Sequence, residues 1–302
     1  MANIERSSGN LRGALENYQR AVPILERGYG PRDARVSAAL DNMGLCLGDL
    51  GRYEEARQAH ERALAIVLEV YGDSHLETAY SLNNLGVALM KLARFDEAAA
   101  RFRRALELKR HILGDGHLDL TSSLQNLGNV YEYQGRLTQA LAEYRRASHI
   151  SLAMAGPQSS DMAFALASEG DALRKLGRDA DALSAYSRAL AACDKTLGTG
   201  HPLASHVRTG IGWVRLRQGD LEDARTEFER AIAAFERSGT EPGELGLAQF
   251  GLARALWQPS GDRPRAQQLA AQAAESFRKG GALNQRDQRD VESWLRTASS
   301  GH

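Results

Sequence analysis

The chain has 302 residues, 43% of them hydrophobic and 25% charged, with 38 basic side chains balanced by 38 acidic ones. That is an ordinary composition for a folded protein, and it leaves no net field to draw nucleic acid or an anionic membrane surface. No apolar run approaches the ~18 residues of a membrane span, and the opening "MANIERSSGN" is too polar for a secretory signal, so the expected compartment is the cytoplasm. Aromatic residues make up only 6%, which leaves the core mainly to Leu and Ala. The two cysteines, Cys46 and Cys193, have neither a CxxC partner nor metal-ligand spacing, and they read as reduced packing residues.

In chain order, the first segment, 9–32, carries Gly9, Ala14, Tyr18 and Ala21 at positions that recur throughout the chain. It reads as the second half of a repeat belonging to a longer array, with an apolar stripe available for self-association. Five full copies follow over 33–242 with a period of 42 residues. Gly44, Gly86, Gly128, Gly170 and Gly212 mark one position, and Gly51, Ala93, Gly135, Gly177 and Gly219 mark another. Ala56, Ala98, Ala140, Ala182 and Ala224 mark a third, followed four residues on by His60, Phe102, Tyr144, Tyr186 and Phe228. Apolar residues between the markers keep helical spacing, as in Leu82, Leu85 and Leu89 and then Ala98, Phe102, Ala105 and Leu106. Each copy is therefore predicted to be a helix, a tight turn and a second helix. One such hairpin cannot hide its apolar face alone and must stack on its neighbours.

The sixth copy, 243–281, is degenerate: "LAQFGLARALW" reads as a first helix and "DRPRAQQLAAQAAESFRKGG" as a second, across an enlarged turn, "QPSGDRP". The remainder, 282–302, holds a capping helix from about Asn284 to Thr297 that is polar except for Val291, Trp294 and Leu295. The whole of 1–302 is thus expected to be one all-α repeat domain.

The spacing from Leu124 through Leu127, Gly128 and Tyr131 to Ala140, Tyr144 and Ala147 resembles the tetratricopeptide repeat (TPR). The 42-residue period and the junctions "YGDSHLETA", "LGDGHLDLT" and "LGTGHPLAS" resemble the kinesin light chain type of that repeat. The ending, from "LARALW" through "VESWL", resembles the C-terminal TPR region of bacterial serine/threonine kinases. The resemblance implies an all-α, right-handed α-solenoid of stacked antiparallel helix pairs. It also implies a non-catalytic scaffold that binds a protein or peptide and forms part of a larger signalling protein, with a kinase domain of the same parent as one partner.

In that family the first helices line a concave groove. The resemblance carries Asn42, Asn84 and Asn126, with Asp41, Asn83 and Gln125 one position earlier, onto that surface. Packed helices lie ~8–10 Å apart and an extended peptide rises ~3.3 Å per residue, so one amide would meet about every third peptide residue. An amide carries donor and acceptor together and can grip a backbone whatever its side chains. Choice of ligand would then fall to the variable neighbours Tyr80, Lys91, Asn129, Tyr133, Arg174, Trp213 and Arg217. The competing reading is that the amides bond to the adjacent helix and set the pitch of the stack. The ladder stops at Ser168 and Gly210, which concentrates the grip in the first three full copies. The alternative function is a self-assembling structural solenoid with no peptide ligand.

Catalytic signatures are missing: there is no GxxxxGK[ST], HExxH or GxSxG. His75, His117 and His201 recur once per copy at a junction and are expected to be architectural, since they cannot converge on one ion. No catalytic residue, metal site or cofactor is assigned, and neither nucleic acid nor a membrane is expected as a partner.

Overall fold

The computed structural model describes residues 10–198, 200–238, 242–258 and 261–300. Gly9, the earliest marker of the period, and Pro259 and Ser260 of the expected enlarged turn lie outside the described residues. Among the described residues every regular element is helical. The chain divides into two units at Gln134 and Gly135. The first holds α1 (Leu11–Tyr29), α2 (Ala34–Asp49), α3 (Tyr53–Tyr71), α4 (Leu76–Lys91), α5 (Phe95–Leu113) and α6 (Leu120–Tyr133). The second holds α7 (Leu137–Ala155), α8 (Ser160–Lys175), α9 (Asp179–Thr196), α10 (Pro202–Gln218), α11 (Leu221–Ser238), α12 (Pro242–Leu256), α13 (Arg263–Lys279) and α14 (Gln285–Ser300).

The pairs α2–α3 and α4–α5 in the first unit, and α8–α9 and α10–α11 in the second, are hairpins of helices in contact. Their tight turns are built alike. Gly51 (φ 75°) and Gly177 (φ 76°) take a left-handed conformation, and the next residue's N–H reaches back into the finished helix, from Arg52 to the Leu47 carbonyl and from Arg178 to the Leu173 carbonyl, both at 2.9 Å. That left-handed residue and long return bond are what end the helix. Ala93 does the same job at φ 57° without the freedom of glycine. The helices α3, α5, α7 and α9 open on an arginine whose guanidinium clasps a side chain three residues on: Arg52 with Glu55, Arg94 with Glu97, Arg136 with Gln139 and Arg178 with Asp181, whereas α11 has Asp220 at that position.

The small residues of the first helices seat the large rings of the second. A Cβ on Gly86 would lie 2.6 Å from Cε1 of Phe102, a side chain with no exposed surface. In the second unit the Tyr186 ring lies against both Gly170 of α8 and Gly210 of α10, and Phe228 lies against both Gly212 of α10 and Gly251 of α12. One ring thus fills the space between two successive first helices, which is how separate hairpins share a core. The last helix, α14, runs from Gln285 to Ser300 after a 3₁₀ turn at Gly281–Asn284. It buries Val291 fully and packs Trp294 and Leu295 against α12 and α13 residues such as Leu252 and Ala270.

Candidate functional site

In the first unit the amide register is occupied in four different ways. Asn42 donates from Nδ2 to the Ala38 carbonyl of its own helix at 2.9 Å. Asp41 bridges three helices, with Oδ1 2.7 Å from Nδ1 of His60 and Oδ2 accepting from the Ser81 hydroxyl at 2.8 Å. Asn83 Oδ1 accepts from Ser123 Oγ at 3.2 Å and from Asn126 Nδ2 at 3.4 Å, joining α4 to α6. Asn84 and Gln125 are half-buried and make no hydrogen bond among the described residues. Lys91 and Asn129 are half-buried, and Tyr133 is exposed with its ring stacked on Phe95 at 5.5 Å.

Tyr80 donates its hydroxyl to Asp119 Oδ2 at 2.6 Å, and this hydrogen bond, aided by burial, pushes its pKa up to about 12. Beneath its ring lies Lys109, only 2% exposed, with Nζ donating to the Asp119 carbonyl at 3.0 Å and to Ser123 Oγ at 3.1 Å. Burial draws the lysine pKa down. Lys109 occupies the register of Val67 and Ser151, where helical patterning asks for a core residue, so its charge escaped the sequence analysis.

In the second unit Arg217 clasps Asp179 and donates from Nη2 to the Arg174 carbonyl at 3.0 Å, which brings two of the expected site residues together. Trp213 stands apart from them. It packs edge-on against Phe228 at 5.8 Å and against Phe250 at 6.0 Å, and its indole N–H is buried with no acceptor among the described residues.

Arg174 also belongs to a charged network that sequence analysis did not find. His206 on α10 lies 2.6 Å through Nε2 from Asp171 Oδ2 on α8, and 2.7 Å through Nδ1 from Glu244 Oε2 on α12. The other Asp171 oxygen accepts from the Tyr186 hydroxyl at 2.7 Å, and Arg174 stands 3.7 Å from it. Burial alone would strip the charge from His206, but the two carboxylates outweigh it and raise the imidazole pKa well above its ordinary value. By the same contest Asp171 and Glu244 are held below theirs, burial opposing and the imidazolium prevailing. The one available signal was register: His206 recurs where Tyr80 and Phe164 stand in earlier copies.

The junction histidines are caps. Nδ1 of His75 accepts the Glu77 N–H at 3.1 Å, His117 that of Asp119 at 3.2 Å, and His201 that of Leu203 at 3.2 Å. Each satisfies a donor that a helix start leaves orphaned. Among the described residues no group of three or more His, Cys, Asp or Glu could hold a metal ion, and no helix is long and apolar enough to cross a membrane.

Hairpins of paired helices, small residues seating large rings, and polar side chains linking one first helix to the next define a helical repeat protein. A family model of the tetratricopeptide repeat matches residues 1–69, 35–111, 77–152 and 161–237, and a second matches 209–280. The chain belongs to the tetratricopeptide repeat family, with an all-α solenoid fold of stacked helix pairs. No curated protein matches the sequence. Among solved structures it is similar to BtubC (BKLC) from P. vanneervenii, at 19% identity and a TM-score of 0.55 over 83% of this chain and 93% of that one. A kinesin-light-chain-type protein of nearly identical TPR-like repeats from Podosopora anserina aligns at 16% identity and TM-score 0.56, over 68% of this chain and 98% of the other. The Rap conjugation gene regulator of plasmid pLS20, solved with the Phr* peptide, aligns at 17% identity and TM-score 0.69, over 94% of this chain and 73% of that one. The repeats are similar in fold to those of the kinesin-light-chain-type structure, and the chain is a protein-interaction scaffold.

Proposed function

We propose that the chain binds an extended peptide segment of a partner protein along its first helices, gripping the peptide backbone through amides of the first unit. The observation that carries this is Asn84, a half-buried amide without a partner beside the linked pair Asn83 and Asn126. Asn83 and Asn126 already spend part of their capacity on each other and so set the spacing of α4 and α6. Asn84 and Gln125 retain theirs for a ligand. The competing idea of the amides as spacers accounts for the first pair and not for the second. A peptide ligand agrees with the Rap regulator solved with its Phr* peptide. In this reading the repeats of 1–302 form one array in the cytoplasm, and the array is the interaction part of a larger signalling protein, with a kinase domain of that parent among its partners.

The test is a peptide selected from a random library on the purified chain. Asn84→Ala, which removes no intramolecular bond, should weaken that peptide about fivefold or more while leaving the helical circular dichroism unchanged. Unchanged affinity would refute the backbone grip. A second reading, self-assembly, draws on the outward Ile24 and Tyr29 of α1, 59% and 56% exposed. It predicts a molar mass that grows with concentration in light scattering, and a monomer throughout would end it.

A further inference from the structure

All three tryptophans of the chain lie in the second unit and gather around its last helices. The Trp257 and Trp294 rings meet edge to face, with centroids 5.2 Å apart, and Phe250 lies 5.9 Å from Trp294. Trp257 and Trp294 open onto a pocket of about 440 Å³, walled also by Leu216 and Leu221, with Arg254 and Gln258 as its polar members. That volume lies within the range of small-molecule sites. Among the described residues no carboxylate lines it.

The arginines around the pocket fall into two sets. Arg215, Arg225 and Arg265 are paired with Asp220, Glu222 and Glu229 at 3.2, 2.6 and 2.9 Å. Arg254 and Arg263 have no carboxylate within ion-pair distance among the described residues. Each lies against an indole instead, Arg254 at 5.5 Å from the Trp213 centroid and Arg263 at 5.0 Å from that of Trp257. An indole face attracts a guanidinium but accepts none of its in-plane N–H groups, so the planar fork stays free. The fork matches a carboxylate edge, the Gln258 amide supplies a further donor, and the two indoles offer flat apolar walls.

We infer that this pocket binds a small organic carboxylate bearing a flat apolar body, with the body lying against the Trp257 and Trp294 rings and the carboxylate on Arg254. The site lies in the second unit, whereas the Asn84 amide lies in the first, and it does not depend on the peptide reading; the Asn84 variant tests only that one.

Because the chain has no other tryptophan, its tryptophan fluorescence, excited selectively at the red edge where tyrosine does not absorb, reports on this cluster alone. The experiment titrates the whole chain with phenylacetate, with the neutral phenylacetamide and with acetate. The expected result is a saturable spectral change with phenylacetate, and binding about tenfold weaker or worse when the charge or the ring is missing. Arg254 is exposed, so Arg254→Gln should leave the helicity intact and abolish the preference for acid over amide. Equal titration by acid and amide, absence of saturation, or a preference that survives Arg254→Gln would each overturn the inference. A short peptide ending in phenylalanine, with a free or an amidated carboxyl, separates the two sources of such a group. Tighter binding of the free-carboxyl peptide than of phenylacetate assigns the site to a chain end, and weaker binding assigns it to a free acid.

Discussion

His206 bears one charge between two, and removing it should cost more as the solution becomes more acidic within the neutral range. The imidazolium makes two charge-assisted contacts, at 2.6 Å to Asp171 and 2.7 Å to Glu244, with side chains 25%, 13% and 34% exposed respectively for His206, Asp171 and Glu244. Such bonds contribute roughly 1.5–3 kcal/mol each when buried, and Glu244 is open enough to solvent to earn the lower figure, so His206→Ala should cost about 3 kcal/mol near pH 6. Part of that cost is the two carboxylates left facing each other. The pKa of His206 is raised on folding, so its contribution is complete below the ordinary histidine value of about 6.5 and drains away as pH climbs towards the folded value, by at most about 1.4 kcal/mol per pH unit. Asp171 and Glu244 are shifted downward, so their part is present above the usual carboxylate range and fails only on acidification through their folded values. Urea denaturation of wild type and His206→Ala, followed by circular dichroism at several pH values from 6 to 9, measures the difference. Arg174 and Tyr186 also face Asp171, and both keep their protonation over this range: Tyr186 is pushed well above the ordinary phenol value, by burial first and then by Asp171. A gap between the two proteins that does not narrow as pH rises would refute the charged bridge.

Three further changes test the packing. Ala93→Gly relieves a left-handed φ of 57° and should stabilise the chain by a few tenths to about 1 kcal/mol in the same denaturation assay, net of the entropy glycine adds to the unfolded chain. Gly86→Ala drives a methyl to 2.6 Å from Phe102 and should cost about 1–3 kcal/mol; pairing it with Phe102→Leu should recover part of the loss, which separates overpacking from a general weakness of the helix. Lys109→Met keeps the buried stem and discards the charge, so its melting temperature should stay above that of Lys109→Ala, by a margin equivalent to about 2 kcal/mol, because the alanine also leaves a cavity.

The fold was legible because its physical requirement repeats. A glycine is needed wherever Phe102 or Tyr186 must sit on a first helix, and that need returns every 42 residues, so Gly86 and Gly170 announce the packing by position alone. The arginine clasps were equally periodic, at Arg52, Arg94, Arg136 and Arg178, and could have been read from the acid or amide three residues on. Polar partnerships obey another rule. What an amide does depends on the side chain of the next repeat, and that side chain varies from copy to copy. Asn83 and Asn84 are neighbours in sequence, yet one bonds to Ser123 and Asn126 and the other makes no hydrogen bond among the described residues. His206 lies 35 residues from Asp171 and 38 from Glu244, separations that differ from the period because the three groups approach from different turns of their helices. A repeat therefore fixes where a backbone goes while leaving each polar position free to become a spacer, a charge bridge or an open hand. The positions left open, Asn84 in one unit and Arg254 in the other, are those where adding a ligand takes no bond away from the fold.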